Sequence, residues 1–191
     1  MLAKVNVTET ELSGVKLIEP TAFGDNRGFF MESYNKQEMA AHGILIDFIQ
    51  DNQSLSSEPG IIRGLHYQLN PRCQTKLLRA LTGAILDVVV DIRKGSPTFG
   101  KWAGFILSES NRRQLLIPKG FAHGFCTLTA NVNVFYKVDD YYAPEYDRGI
   151  LWNDPAIGIQ WPVSQPILSD KDKHHPRLKD AELNFTMGAN H

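Results

Sequence analysis

The segment Arg63-Gly64-Leu65-His66-Tyr67-Gln68 sets a guanidinium and an imidazole in a run that otherwise reads as a strand. Lys76 follows, and further on come His123 and the tyrosines Tyr136, Tyr141 and Tyr142. These are general acid–base groups and electrophiles. An imidazole, with a reference pKa of roughly 6.5, serves as a base near neutral pH when a carboxylate orients it and stabilises its charged form. Lys76 on a paired strand would stabilise a developing oxyanion, and a phenol on the opposite face would return a proton. Singly, each residue has a structural explanation: a strand histidine is often a hydrogen-bonded core residue, and a tyrosine is often half-buried packing. Together they point to a shared polar cavity, because burying Arg63, His66, Lys76 and His123 along β runs is otherwise costly.

A metal is the competing use of the histidines. The run "IPKGFAHGF" is similar to the second half of a cupin motif, a Pro-Gly turn followed by a histidine on the next strand. Metal-binding cupins place two histidines one residue apart on the first strand, where alternation puts both on one face. Here that place reads His66-Tyr67-Gln68, and no glutamate follows through "LNPRCQTKLL". His66 and His123 alone fall short of the usual three or four ligands, so neither a metal nor another cofactor is expected. His174 and His175 are adjacent in a polar tail and read as solvated side chains.

The elements that must position these groups are short. "TKLLRALTG", "AILDVVVDIR", "KWAGFILSES", "RQLLIPKG", "AHGFCTLTA" and "VNVFYKVDDYY" are rich in Val, Ile, Leu, Phe and Tyr and are bounded by Gly, Pro, Asn or Ser. Such runs predict an all-β sandwich or barrel. "NKQEMAAHG", Asn35 to Gly43, is the clearest helix, with an N-cap candidate and a terminal glycine. Beyond Trp161-Pro162 the chain turns polar, and residues 164–191 are expected to lie over the barrel as turns and one short helix.

At 191 residues, 42% of them hydrophobic, the chain suits one domain with one core. A formal net charge of -1 offers no global attraction to nucleic acid or an anionic membrane, so an anionic ligand needs a local basic site. The first residues lack an apolar h-region, and no run approaches the roughly 18 apolar residues of a spanning helix. A soluble, cytoplasmic protein is the expectation. Cys73 and Cys126 belong to no Cys-x-x-Cys pair and read as reduced structural thiols.

The ordered motifs "GDNRGFFMESYN", "QDNQSLSSEPGIIRGLHYQ", "TKLLRALTGAILDVVVDIRKGSPTFGKW", "LLIPKGFAHGF", "FYKVDDYYAPEYDRGILWNDP", "GIQWP" and "ILSDKD" cover nearly the whole chain. In them the sequence resembles the dTDP-4-dehydrorhamnose 3,5-epimerases, sugar-nucleotide epimerases on a cupin-type double-stranded jelly roll. The resemblance implies a cofactor-independent isomerase of dTDP-L-rhamnose biosynthesis, inverting C3 and C5 of dTDP-4-dehydro-6-deoxy-D-glucose, and a homodimer with N-terminal strand exchange. An epimerase of a single centre, C3 or C5, is the near alternative. By the same resemblance His66 is the base, Asp172 its carboxylate, Tyr136 the acid on the other face and Lys76 the lysine near the keto oxygen. Arg27, Glu32, the run Gln50-Asp51-Asn52, Arg63, His123 and Lys171 match substrate-contacting positions. Tyr142 matches the residue that stacks on thymine, with Phe29 beside the same pocket. Where the family commonly has a glutamate, this chain has Asp147, and Glu145 two residues earlier is the other group in play.

Overall fold

The structure, a computed structural model, describes residues 4–188; residues 189–191 of the expected C-terminal cover, and residues 1–3, lie outside them. Thirteen strands form two large sheets and one hairpin among the described residues. The six-stranded sheet runs in the order β1 (Val5–Glu9), β2 (Lys16–Pro20), β10 (Gln114–Ile117), β7 (Lys76–Thr82), β12 (Val132–Val138), β5 (Gln50–Ser56). The five-stranded sheet runs β13 (Asp147–Gly149), β6 (Ile62–Gln68), β11 (Phe121–Thr127), β8 (Ala84–Asp91), β9 (Trp102–Ser108). β3 (Phe23–Asp25) and β4 (Gly28–Phe30) pair only with each other. All the sheet pairings are antiparallel. The result is a jelly roll of two facing sheets rather than a closed barrel, which resolves the sandwich-or-barrel ambiguity of the sequence pattern.

Alternation along the strands explains the layers. Leu78, Ile85, Val89, Leu107, Leu115 and Val134 point between the sheets and make the central core. The intervening residues of β6 and β8, among them Leu65, Tyr67, Val88 and Val90, face outward and are buried under Ile157, Trp161, Leu178 and Phe185 from the chain beyond β13. β8 is therefore buried on both faces, which is why "AILDVVVD" is apolar nearly throughout. Burying a phenylalanine such as Phe185 contributes on the order of 2 kcal/mol, and with Ile157, Trp161 and Leu178 it holds the C-terminal segment on the sheet. The outer face of the six-stranded sheet is covered only in part, by Met39 of the helix α1 (Lys36–Ala41) and by Ile44 just beyond it.

α1 starts where Asn35 accepts hydrogen bonds from the Gln37 and Glu38 amides, and Gly43 follows it at φ 76°. α2 (Asp170–Lys173) is a single turn capped by Ser169. β5, "QDNQSLS", has the polar composition of a loop, and as an edge strand it pairs only with β12. Cys73 and Cys126 are free, buried thiols. No helix among the described residues is long and apolar enough to cross a membrane.

Candidate active site

Between the sheets opens a cavity of about 500 Å³, with His66 and His123 on the wall from β6 and β11 and Lys76 and Tyr136 on the wall from β7 and β12. Arg63 also lines it, although Arg63 and His66 are three residues apart and simple alternation would turn them to opposite faces. The pairing of β6 with β11 slips between them: His123 lies opposite His66, and two residues later Phe125 lies opposite Arg63. This β-bulge re-aims one side chain. It centres on Gly64, at φ 143°, where an added Cβ would come 2.6 Å from the Cα of Gly124.

Each cavity histidine has a carboxylate. His66 Nε2 lies 2.6 Å from Asp172 Oδ1, delivered by α2, while the Gly64 amide donates to Asp172 Oδ2 at 3.4 Å. Burial opposes ionisation of Asp172, but the His66 hydrogen bond and charge, helped by Gly64, hold its carboxyl below the usual range. An ionised carboxylate only accepts, so His66 Nε2 carries the hydrogen and Nδ1 is the basic nitrogen. His123 Nε2 lies 2.9 Å from Asp87 Oδ2, within β8. Burial pushes the Asp87 carboxyl up against the pull of His123, and it pushes the His123 imidazole down against the pull of Asp87. The second Asp87 oxygen has no hydrogen-bond partner.

Burial lowers Lys76 to about 8 against the attraction of Asp147 and Asp87, so its ammonium sits poised in the cavity wall. Burial pushes the Tyr136 phenol up, against the pull of Arg63, and so keeps it protonated. The Arg63 fork is braced by Ser56 Oγ at 3.1 Å and the Leu55 carbonyl at 3.2 Å. The cavity continues to Tyr142, whose hydroxyl donates to Asp147 Oδ2 at 3.2 Å; Lys171 pairs with the same carboxylate. Asp147 is thus the group at this corner, while Glu145 is exposed on the adjacent turn.

The run from Gln50 to Asn52 divides by alternation. Gln50 accepts from the Tyr142 amide at 3.4 Å and donates to Asn52, which lies opposite Tyr136 in register. Asp51 points to the outer face and pairs with Lys137 at 2.8 Å, away from the cavity. Arg27, Phe29 and Glu32 also stand outside it. Arg27 reaches back to Asp25, Arg112 lies over the Phe29 ring at 4.5 Å, and Glu32 bonds Lys4 and Asn35.

Three side chains that support the cavity escaped the sequence reading. Gln68 ties the tyrosine loop to β6 by donating to the Tyr141 carbonyl and accepting from the Ala143 amide. Asp87 was visible only as a carboxylate inside an apolar run. His175 corrects the expectation of a solvated tail: its side chain is 10% exposed, packed edge-on to His66 at 5.6 Å between ring centres. His174 is exposed, with Nδ1 2.7 Å from the Asp170 carbonyl.

A cavity with a carboxylate-backed imidazole on one sheet and a protonated phenol and lysine on the other defines a jelly-roll acid–base catalyst. The profile of the dTDP-4-dehydrorhamnose 3,5-epimerase family matches residues 9–180, and the chain belongs to that family. It is 52% identical over 179 residues to the dTDP-4-dehydrorhamnose 3,5-epimerase of Shigella flexneri, covering 93% of this chain and 98% of that one. A crystal structure of the Bacillus anthracis str. Ames enzyme with TDP and PPi bound is 57% identical, with TM-score 0.89, covering 91% of this chain and 99% of that one. The Legionella pneumophila Philadelphia 1 enzyme in complex with dTDP-4-keto-L-rhamnose is 48% identical, with TM-score 0.87, covering 92% and 94%.

Proposed function

We propose that this chain is the isomerase that inverts C3 and C5 of dTDP-4-dehydro-6-deoxy-D-glucose to give dTDP-4-dehydro-L-rhamnose. The observation that carries the reading is the placement of His66 with Asp172 on one sheet and Tyr136 on the facing sheet, across one cavity. Both carbons are alpha to the 4-keto group, so their C–H bonds are acidified and neither inversion changes oxidation state. His66 Nδ1 takes the proton, and Asp172 stabilises the imidazolium. The Lys76 ammonium stabilises the enolate oxygen, and the Tyr136 phenol delivers a proton to the opposite face. Solvent then resets both groups. Arg63 and Lys171 supply local positive charge for the diphosphate, and Tyr142 is the platform for the base.

Arg27, Phe29 and Glu32 enter this reading through a homodimer. They stand outside their own cavity, so a role in binding places them in that of a second copy. The outer face of the six-stranded sheet supports the pairing: Leu55 and Leu81 are exposed there beside a half-buried Phe135, and Phe23, Phe29 and Phe30 project from the β3–β4 hairpin. Sedimentation equilibrium reads the mass, expected at twice that of the chain.

The test is proton NMR of the 4-keto substrate with chelator-treated protein in deuterium oxide. Deuterium at C3 and C5 with inversion at both is expected; exchange at one carbon alone limits the enzyme to a single centre, and exchange at neither sinks the reading.

A further inference from the structure

A third donor faces the His66–Asp172 pair. His175 Nε2 is buried, has no hydrogen-bond partner and lies 3.5 Å from Asp172 Oδ1. One ligand atom from each of His66, Asp172 and His175 lies within 4.8 Å of the others. Gly149 makes the approach possible: a Cβ there would come 2.3 Å from His175 Nε2.

We propose that His66, Asp172 and His175 form a site for a divalent transition-metal ion of the zinc type, whose binding sequesters the base and stops epimerisation. Two imidazole nitrogens and one carboxylate oxygen suit zinc or cobalt rather than magnesium or calcium. Water would take the fourth position. Ligands at about 2.0 Å in a tetrahedron sit about 3.3 Å apart, so the ion replaces the proton shared by His66 and Asp172 and spreads that pair by a fraction of an ångström. The proton displaced from His66 Nε2 moves to Nδ1, so a metal-bound His66 keeps no lone pair with which to take a substrate proton. Lys76 and Arg63 oppose the added charge, which makes this a reversible inhibitory site rather than a structural one. The inhibition, though not the binding, rests on the epimerase reading of His66.

The experiment uses untagged full-length protein freed of metal, titrated with cobalt(II) and followed by visible absorption. One saturable cobalt per chain, displaced by zinc, is expected, and zinc should block turnover until chelator is added. His175→Gln should weaken cobalt binding by about tenfold or more, with a melting curve showing that the variant is folded. His174→Gln should bind as the parent does, and Asp172→Asn gives a second reading of the same ligand set. Cobalt binding that fails to saturate, or that survives both His175→Gln and Asp172→Asn unchanged, overturns the site. Full turnover with zinc bound overturns the inhibition. Cobalt binding by a protein without any turnover sustains the site and counts against the epimerase reading alone.

Discussion

Two histidine–carboxylate pairs stand side by side on paired strands, and they have different chemical freedom. His66 is 33% exposed and faces the cavity, with its carboxylate brought from α2 in the C-terminal segment; His123 is 11% exposed, with its carboxylate fixed in β8. Around Asp172, hydrogen bonds outweigh burial, so the carboxylate stays ionised and can support an imidazolium. Around Asp87 burial wins, and both members are pushed toward neutral forms. Hydration and hydrogen-bond supply, rather than the identity of the pair, separate a base from a fixed wall.

The largest expected effect is that of His66→Ala, which should cut turnover by about 10³-fold or more while nucleotide affinity holds, as read by single-turnover kinetics and calorimetry. Activity within tenfold of the parent would break the comparison, since His123 would then be the base. Asp172→Asn should lose on the order of 10²-fold, because the amide cannot stabilise the imidazolium. Tyr136→Phe should retain deuterium exchange on the His66 side and lose epimerised product; NMR showing unimpaired inversion at both centres would remove the phenol from the mechanism. The Lys76 ammonium dominates below about 8 and is lost above it, so kcat/KM should decline on an alkaline limb near that pH. A Lys76→Met variant lacking this limb would assign it. The smallest effect on rate belongs to His123→Leu, which should act instead on folding: an unpaired Asp87 in the core costs about 3 kcal/mol, visible as an earlier urea midpoint. A fall in rate as large as that of Asp172→Asn, with an unchanged midpoint, would erase the distinction between the pairs.

The central strands were legible because β7, β8, β11 and β12 combine β-branched and aromatic residues with clear turn punctuation. β5 was not, because "QDNQSLS" carries no apolar signal and becomes a strand only by pairing with β12. Among the site residues the resemblance named Asp172, yet the distance in sequence from His66 gives no local pattern that joins them. His175 was misread for the same reason: polar residues in a tail look solvated until the tail is folded onto the sheet.

Residue types alone determined the repertoire: an imidazole, a lysine, phenols and arginines in a nearly neutral chain, with apolar alternation enough for a two-sheet core. The tertiary structure decided which of them meet. A one-residue bulge at Gly64 turns Arg63 and His66 to the same side, against the two-residue period of a strand. The glycine at position 149 and the turn of α2 bring His175 and Asp172 onto His66 from more than a hundred residues away. Alternation and composition are local properties of the chain, whereas the chemistry of His66 is set by neighbours that only closure of the sheets and docking of the C-terminal segment can supply.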